Sequence, residues 1–207
     1  MAALNAYITR AKLQAAVGDS LQVHEAEHDR AIEAASRKID EWTGRYFYQD
    51  AVASARVFRA KSRTCVCTGD FDATADVIVE TDDDDDGVFE TEWTVGQWQA
   101  EPFVRWNGKP HVVITTATRT REFPFGSRRP LVQVTAQWGW ASVPVAVEQA
   151  TEYLAILFFR AKDQYGVSIG ITDDSREELS ADPIKVAMEL VKEYAVEGGT
   201  LYKPCSC

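Results

Sequence analysis

The run Asp82-Asp83-Asp84-Asp85-Asp86-Gly87, with Glu90 beyond it, holds the side chains of this sequence best suited to chemistry. Carboxylates at alternate positions can converge on one hard cation, and a glycine lets the chain turn sharply beneath it, as at the start of an Asp-x-Asp-x-Asp-Gly calcium loop. Asp82, Asp84, Asp86 and Glu90 are the candidate ligands. Where an EF-hand loop closes its site with a bidentate glutamate, however, this chain has Trp93, and the flanking residues have strand character. A solvated acidic hairpin tip is therefore favoured over a calcium site, and neither metal nor cofactor is expected.

Two Cys-x-Cys pairs, Cys65 with Cys67 and Cys205 with Cys207, are a second metal-capable set. On a strand, residues two apart point to one face without reaching disulfide geometry. The spacing also departs from that of structural zinc sites, which leaves reduced free thiols as the favoured reading. His24 and His28 lie one helical turn apart but lack the His-Glu-x-x-His pattern. His28 falls on an apolar stripe, where a satisfied, partly buried imidazole is the common outcome. The chain contains no Gly-x-Ser-x-Gly element, phosphate-binding glycine loop or dinucleotide fingerprint, and its surroundings single out no carboxylate pair. No catalytic residue is expected, and the chain does not read as an enzyme.

Trp93, Trp98, Trp106, Trp138 and Trp140 can in principle form an aromatic platform for a ligand. Val132, Val134, Ala136 and Trp138 nevertheless alternate along one strand face, which favours packing. Arg119, Arg121, Arg128 and Arg129 surround Phe123-Pro124-Phe125-Gly126 as the only basic concentration. A solvated turn is favoured there over a site for carboxylates or DNA.

The elements that must position these groups fall into a helical, then β, then helical order. Thr9 can cap a helix over Arg10 to Val17, with Gly18 ending it. Asp19 and Gln22 then resemble a capping box. His28, Ile32, Ala35, Ile39 and Trp42 form the stripe of a long helix that stops at Gly44. From Arg45 to Trp140 the pattern changes to short runs rich in β-branched and aromatic residues: Val77–Val79, Val88–Val95, His111–Thr116 and Leu131–Trp138. Asn107-Gly108 and Phe125-Gly126-Ser127 supply turns.

Pro144 opens a further helix, with Val147, Ala150, Leu154, Leu157, Phe158 and Ala161 as its inward stripe. A second apolar set, Tyr153, Ile156 and Phe159, faces elsewhere on the same helix. A small chain can cover such a helix by placing a neighbouring subunit against it. Thr172-Asp173-Asp174-Ser175 reads as a solvated connection, and Asp182-Pro183 then starts a last helix with Ile184, Ala187, Met188, Val191 and Ala195 as its stripe. Gly198-Gly199 ends that helix.

The expected fold class is α+β: a small helical core of about four helices with an inserted antiparallel β subdomain. The expected divisions are 1–46 for the first core helices, 47–141 for the β insertion, 142–196 for the remaining core helices and 197–207 for an extended tail. The chain has 207 residues, 45% hydrophobic and 26% charged, which fits this organisation. Its net charge of -10 argues against a protein that grips phosphate backbones; it does not exclude an acidic channel that lets DNA pass, a reading that requires a ring, which composition alone does not supply. The apolar run Tyr153–Phe159 is far shorter than the roughly 20 residues of a membrane span, and no signal-peptide pattern opens the sequence. A cytosolic origin without a membrane partner is the expectation.

Two blocks carry a resemblance. Ile32-Glu33-Ala34-Ala35-Ser36 followed by Trp42-Thr43-Gly44-Arg45-Tyr46-Phe47 resembles the wording "IEAAS…YTGR.F" of tailed-bacteriophage head-to-tail connector proteins, also called adaptor or head completion proteins. Val134-Thr135-Ala136-Gln137-Trp138-Gly139-Trp140 through Val143-Pro144, Val147 and Gln149-Ala150 resembles their second signature, with Ala136-Gln137 in place of the usual small or basic residues. By order of motifs the likeness runs from Thr9 to Tyr194 and is strongest to the longer connectors of siphophages infecting actinobacteria. It implies a structural virion protein at the head-tail junction, forming a homo-oligomeric, usually dodecameric ring under the portal. The implied partners are further copies of the chain, the portal protein, a stopper or tail protein, and double-stranded DNA that passes without specific binding. It also implies that the last helix and tail reach the portal, with Leu201, Tyr202 and Lys203 as contacts; the second apolar set noted above, Tyr153, Ile156 and Phe159, is the expected subunit interface. The alternatives are a stopper or tail-terminator protein, or a calcium-dependent or aromatic-platform binding module.

Overall fold

The computed structural model describes residues 5–18, 24–74, 76–103, 108–164 and 182–195. The chain divides into two compact units, one drawn from Met1–Phe47 and Val143–Leu201, the other from Tyr48–Ser142. The architecture is α+β, as the sequence pattern implied.

The first unit is helical. α1 (Arg10–Val17) starts where the Thr9 side chain accepts from the Lys12 amide and ends at Gly18, whose φ of 75° is left-handed. α2 (Glu25–Thr43) buries His28, Ile32, Ala35 and Ile39, the stripe read from spacing, and stops at Gly44 with φ 66°. Arg10 ties α1 to α2 by donating to both carboxylate oxygens of Asp29, at 2.8 and 2.6 Å. α3 (Val145–Gln164) packs against α2 and against α4 (Pro183–Val191), which runs into a short 3-10 turn at Lys192–Tyr194. Leu13, Ile39, Phe47, Val147, Ala150, Leu154, Ala187 and Val191 are buried in this unit. The capping box expected at Asp19 and Gln22 lies outside the described residues, and α2 begins after His24 without a side-chain cap.

α4 departs from expectation in which face it buries. Asp182 caps it by accepting from the Ile184 amide, with Pro183 in the first turn as anticipated. Ala187 and Val191 are buried, but Ile184 and Met188 are 39% and 47% exposed. So short a helix covers only a narrow strip of its neighbour, and burial resumes at Tyr194 in the following turn, whose ring packs against Phe47.

The second unit is an antiparallel sheet of β1 (Ser54–Phe58), β2 (Ala60–Ser62), β3 (Cys65–Asp72), β4 (Ile78–Thr81), β5 (Thr91–Trp93), β6 (Trp98–Glu101), β7 (His111–Thr116) and β8 (Val132–Trp138). The order is β5-β4-β8-β3-β7-β6, with β1 also on β8 and β2 also on β3. β8 organises the sheet: Val134 faces Arg56 of β1 and Val79 of β4, and Trp138 faces Phe71 of β3. Its strict alternation puts Val132, Val134, Ala136 and Trp138 into a core shared with Val66, Phe71, Val79, Trp93, Ile114 and Phe123. β1, β2 and β6 were not legible as strands because they are short or exposed and show no burial rhythm. Among the described residues no helix is long and apolar enough to cross a membrane.

Candidate functional site

The acidic run forms the link from β4 to β5. Asp82 is 1% exposed, and its amide donates to the Leu131 carbonyl at 3.0 Å, anchoring the start of the turn. Its two carboxylate oxygens accept from the amides of Asp86 at 3.2 Å and Gly87 at 2.8 Å. Asp84 also accepts from Asp86, Asp86 accepts from Val88 at 2.7 Å, and Glu90 accepts from the Asp83 amide at 3.3 Å. Short polar side chains thus do for this turn what a backbone ladder does in a strand. Asp85 sits at φ 63° and Gly87 at φ 99°. Arg129 crosses the turn, donating to the Asp85 carbonyl at 2.6 Å and lying 3.3 Å from its carboxylate.

The folding of the turn brings the four expected carboxylates together: Asp82, Asp84, Asp86 and Glu90 each present an oxygen, all within 4.8 Å of one another. The repulsion is felt at Asp84, whose carboxyl is held above its ordinary range chiefly by the charge of Asp86. Trp93 cannot complete a ligand set. It is buried, donates its indole N–H to the Thr81 hydroxyl at 3.1 Å and stacks on Phe123 with ring centres 4.3 Å apart.

The other candidate groups are dispersed. Trp138 and Trp140 are buried and Trp98 half-buried, so these rings serve packing rather than an exposed platform; Trp106 lies outside the described residues. Two of the four arginines are engaged locally: Arg129 on the acidic turn, and Arg121 over the Trp93 ring at 4.7 Å while donating to Gln97 at 3.0 Å. His28 is buried against the Phe159 ring at 4.5 Å, in keeping with a core imidazole. Phe159 of the second apolar set on α3 is therefore partly used within its own unit, and Tyr153 and Ile156 are half-buried. Leu201, Tyr202 and Lys203 lie outside the described residues.

The cysteines require a correction. Cys65 and Cys67 are disulfide-bonded, not free thiols. Spacing within one strand argues only against a bond between those two and says nothing of other partners.

Both signature blocks resolve into backbone junctions. In the first, the Thr43 hydroxyl donates to the Ile39 carbonyl at 2.8 Å, Gly44 ends α2, Arg45 donates to the Tyr194 carbonyl at 2.9 Å, and Phe47 is buried between the Tyr7 and Tyr194 rings. The Tyr7 hydroxyl donates to the Asp40 carboxylate and accepts from the Phe47 amide at 3.0 Å. Burial, reinforced by Asp40, pushes the Tyr7 phenol well above its usual range, and burial likewise raises Asp40 despite Arg37 at 3.0 Å. Sequence spacing did not flag Tyr7. In the second block, Trp138 donates to the Ser54 carbonyl at 2.8 Å, and Trp140 donates to the Asp70 carboxylate at 3.0 Å.

No protein-family profile matches the chain, and no curated protein matches it in sequence. Among solved structures, one described as the neck of an empty GTA particle computed with C6 symmetry shares its fold, with a TM-score of 0.53 and 16% identity. The alignment covers 94% of this chain and 92% of that one, so the likeness spans both the helical and the β parts.

Proposed function

We propose that this chain is a structural, non-enzymatic subunit of a particle neck: a head-to-tail connector that forms a homo-oligomeric ring under the portal, joins capsid to tail and conducts the genome. The observation that carries this reading is the shared fold with a neck protein over 94% of the chain. The sixfold symmetry applied to that neck is compatible with a dodecameric ring here. Independent support comes from the two sequence blocks that resemble connector signatures. The half-buried apolar face of α3 with Tyr153 and Ile156, and the exposed Ile184 and Met188 of α4, provide the surplus apolar surface a ring subunit needs.

In this reading the work is geometric. Helices build the wall, the net charge of -10 keeps passing DNA from adhering, and Leu201, Tyr202 and Lys203 meet the portal. Electron microscopy of particles, or of the protein mixed with portal, is expected to show rings at the head-tail junction. A strictly monomeric protein absent from particles would sink the proposal.

A calcium-dependent binding module is the alternative from a different class, and the convergence of Asp82, Asp84, Asp86 and Glu90 is the one observation in its favour. Titration calorimetry with calcium decides it: absence of heat at millimolar ion removes this reading.

A further inference from the structure

We propose that copies of this chain join through their sheets: β1 of one copy pairs antiparallel with β5 of the next, and the basic stretch that follows β1 meets the acidic turn that precedes β5. The inference rests on the reading of the chain as a ring subunit and names a surface that holds neighbours together.

β1 and β5 lie at opposite ends of one run of strands, β5-β4-β8-β1. Among the described residues neither pairs with a further strand. Every second residue of an antiparallel strand turns its N–H and C=O away from its partner, so both ends offer a row of backbone donors and acceptors. All three pairings in the run are antiparallel, so β1 runs opposite to β5. A copy added edge to edge in the same orientation therefore presents its β5 antiparallel to β1. The registers also align across the run: Thr91, Thr81, Val132 and Phe58 share one row, and Trp93, Val79, Val134 and Arg56 another. Continued without a shift, these rows set Thr91 of the next copy opposite Phe58, and Glu90 of the next copy opposite Arg59.

Charge selects this arrangement. Besides the arginines around Phe123, residues 51–69 hold Arg56, Arg59, Lys61 and Arg63, all exposed, with no acidic residue among them. Arg56 is paired with Asp50 and Arg63 with Glu122, each at 2.9 Å, whereas Arg59 has no ion-pair partner among the described residues. The opposite edge carries the acidic turn, Glu90 and Glu92. β1 against β1, or β5 against β5, sets like charges face to face, while β1 against β5 sets opposite ones. Repulsion thus disfavours two-fold pairing and leaves the head-to-tail contact, the kind that closes into rings. Duplex DNA is the competing polyanion, but two of the four basic charges are already offset and the chain carries a net charge of -10.

Charge reversal in the full chain tests this, with rings read by sedimentation and electron microscopy, alone and with portal. Arg59→Glu and Glu90→Arg should each raise the protein concentration needed for rings by about tenfold at low salt. Both reversals in one chain should restore assembly, because the pair re-forms between copies with its signs exchanged. Thermal melts check that the variants fold. In Arg59→Lys, a carbodiimide should join position 59 to residues 82–92, and light and isotope-labelled chains mixed before assembly should give mixed-isotope products. Rings that form from both single variants as from the parent, or cross-links confined to same-isotope pairs, overturn the pairing and leave the ring reading standing. A parent that stays monomeric with and without portal overturns both. Normal rings of Arg59→Glu that no longer retain duplex DNA would assign the basic stretch to DNA and overturn the pairing.

Discussion

Gly139 passes so close to Tyr48 that a Cβ at position 139 would collide with the Tyr48 carbonyl oxygen, the same oxygen that accepts from the Trp140 amide at 3.2 Å. Gly139 also sits at φ 99°, a conformation L side chains rarely adopt. Gly139→Ala is therefore expected to cost about 2–4 kcal/mol, from backbone strain and displacement of a paired strand end. Urea denaturation measures it, and a loss below the error of the fit contradicts the crossing.

Tyr7→Phe removes a buried hydroxyl that donates to Asp40 and accepts from the Phe47 amide. The expected loss at neutral pH is about 1–3 kcal/mol, since two buried partners are left unsatisfied. The folded phenol titrates above its ordinary 10.0, so the native state holds this proton more tightly than the unfolded chain. Its contribution is complete below that value and is lost as pH rises beyond it. Tyr7→Phe should accordingly shallow the alkaline fall in stability, as followed by thermal melts across that range.

Asp84→Asn should raise the melting temperature at neutral pH, because the charge of Asp86 already disfavours ionised Asp84. A carboxyl whose folded value is raised contributes stability at low pH and loses it as pH rises through that value. The advantage of the variant should therefore shrink on acidification and also on adding salt, which screens exposed charges. A variant less stable than the parent at neutral pH and low salt would contradict the repulsion.

Reducing the oxidised protein should lower stability by about 2–5 kcal/mol, the range expected when cross-links that restrict the unfolded chain are removed. Melts with and without a thiol reductant read this directly, and the difference should vanish when Cys65 and Cys67 are both replaced by serine.

Ile184→Ser combined with Met188→Ser alters only exposed positions on α4. Monomer stability should stay within about 0.5 kcal/mol of the parent, while ring formation or incorporation into particles falls if this face meets a neighbour. Denaturation and electron microscopy of the same preparation separate the two effects.

Local signals were legible where one residue sufficed. Thr9, Gly18, Gly44 and Asp182 mark helix ends by their own side-chain chemistry or freedom of φ, and β8 displays its alternation openly. The stripe of α4 was misassigned at Ile184 and Met188 because periodicity reports which residues share a face, not how much of that face a partner covers. The four carboxylates of the acidic turn could be named from their spacing. That Asp82 accepts from the Asp86 and Gly87 amides is a local contact, whereas Arg129 lying across the turn depends on a residue far along the chain.

By itself the sequence determined the order of helix, sheet and helix, the helix caps and the acidic turn, since each depends on residues within a few positions of one another. Tertiary structure alone decided that Tyr7 holds the end of α2 to Phe47, that Gly139 must be glycine, and that Cys65 and Cys67 are oxidised. Those facts arise where segments distant in sequence approach within hydrogen-bonding or covalent reach, a proximity no local pattern encodes.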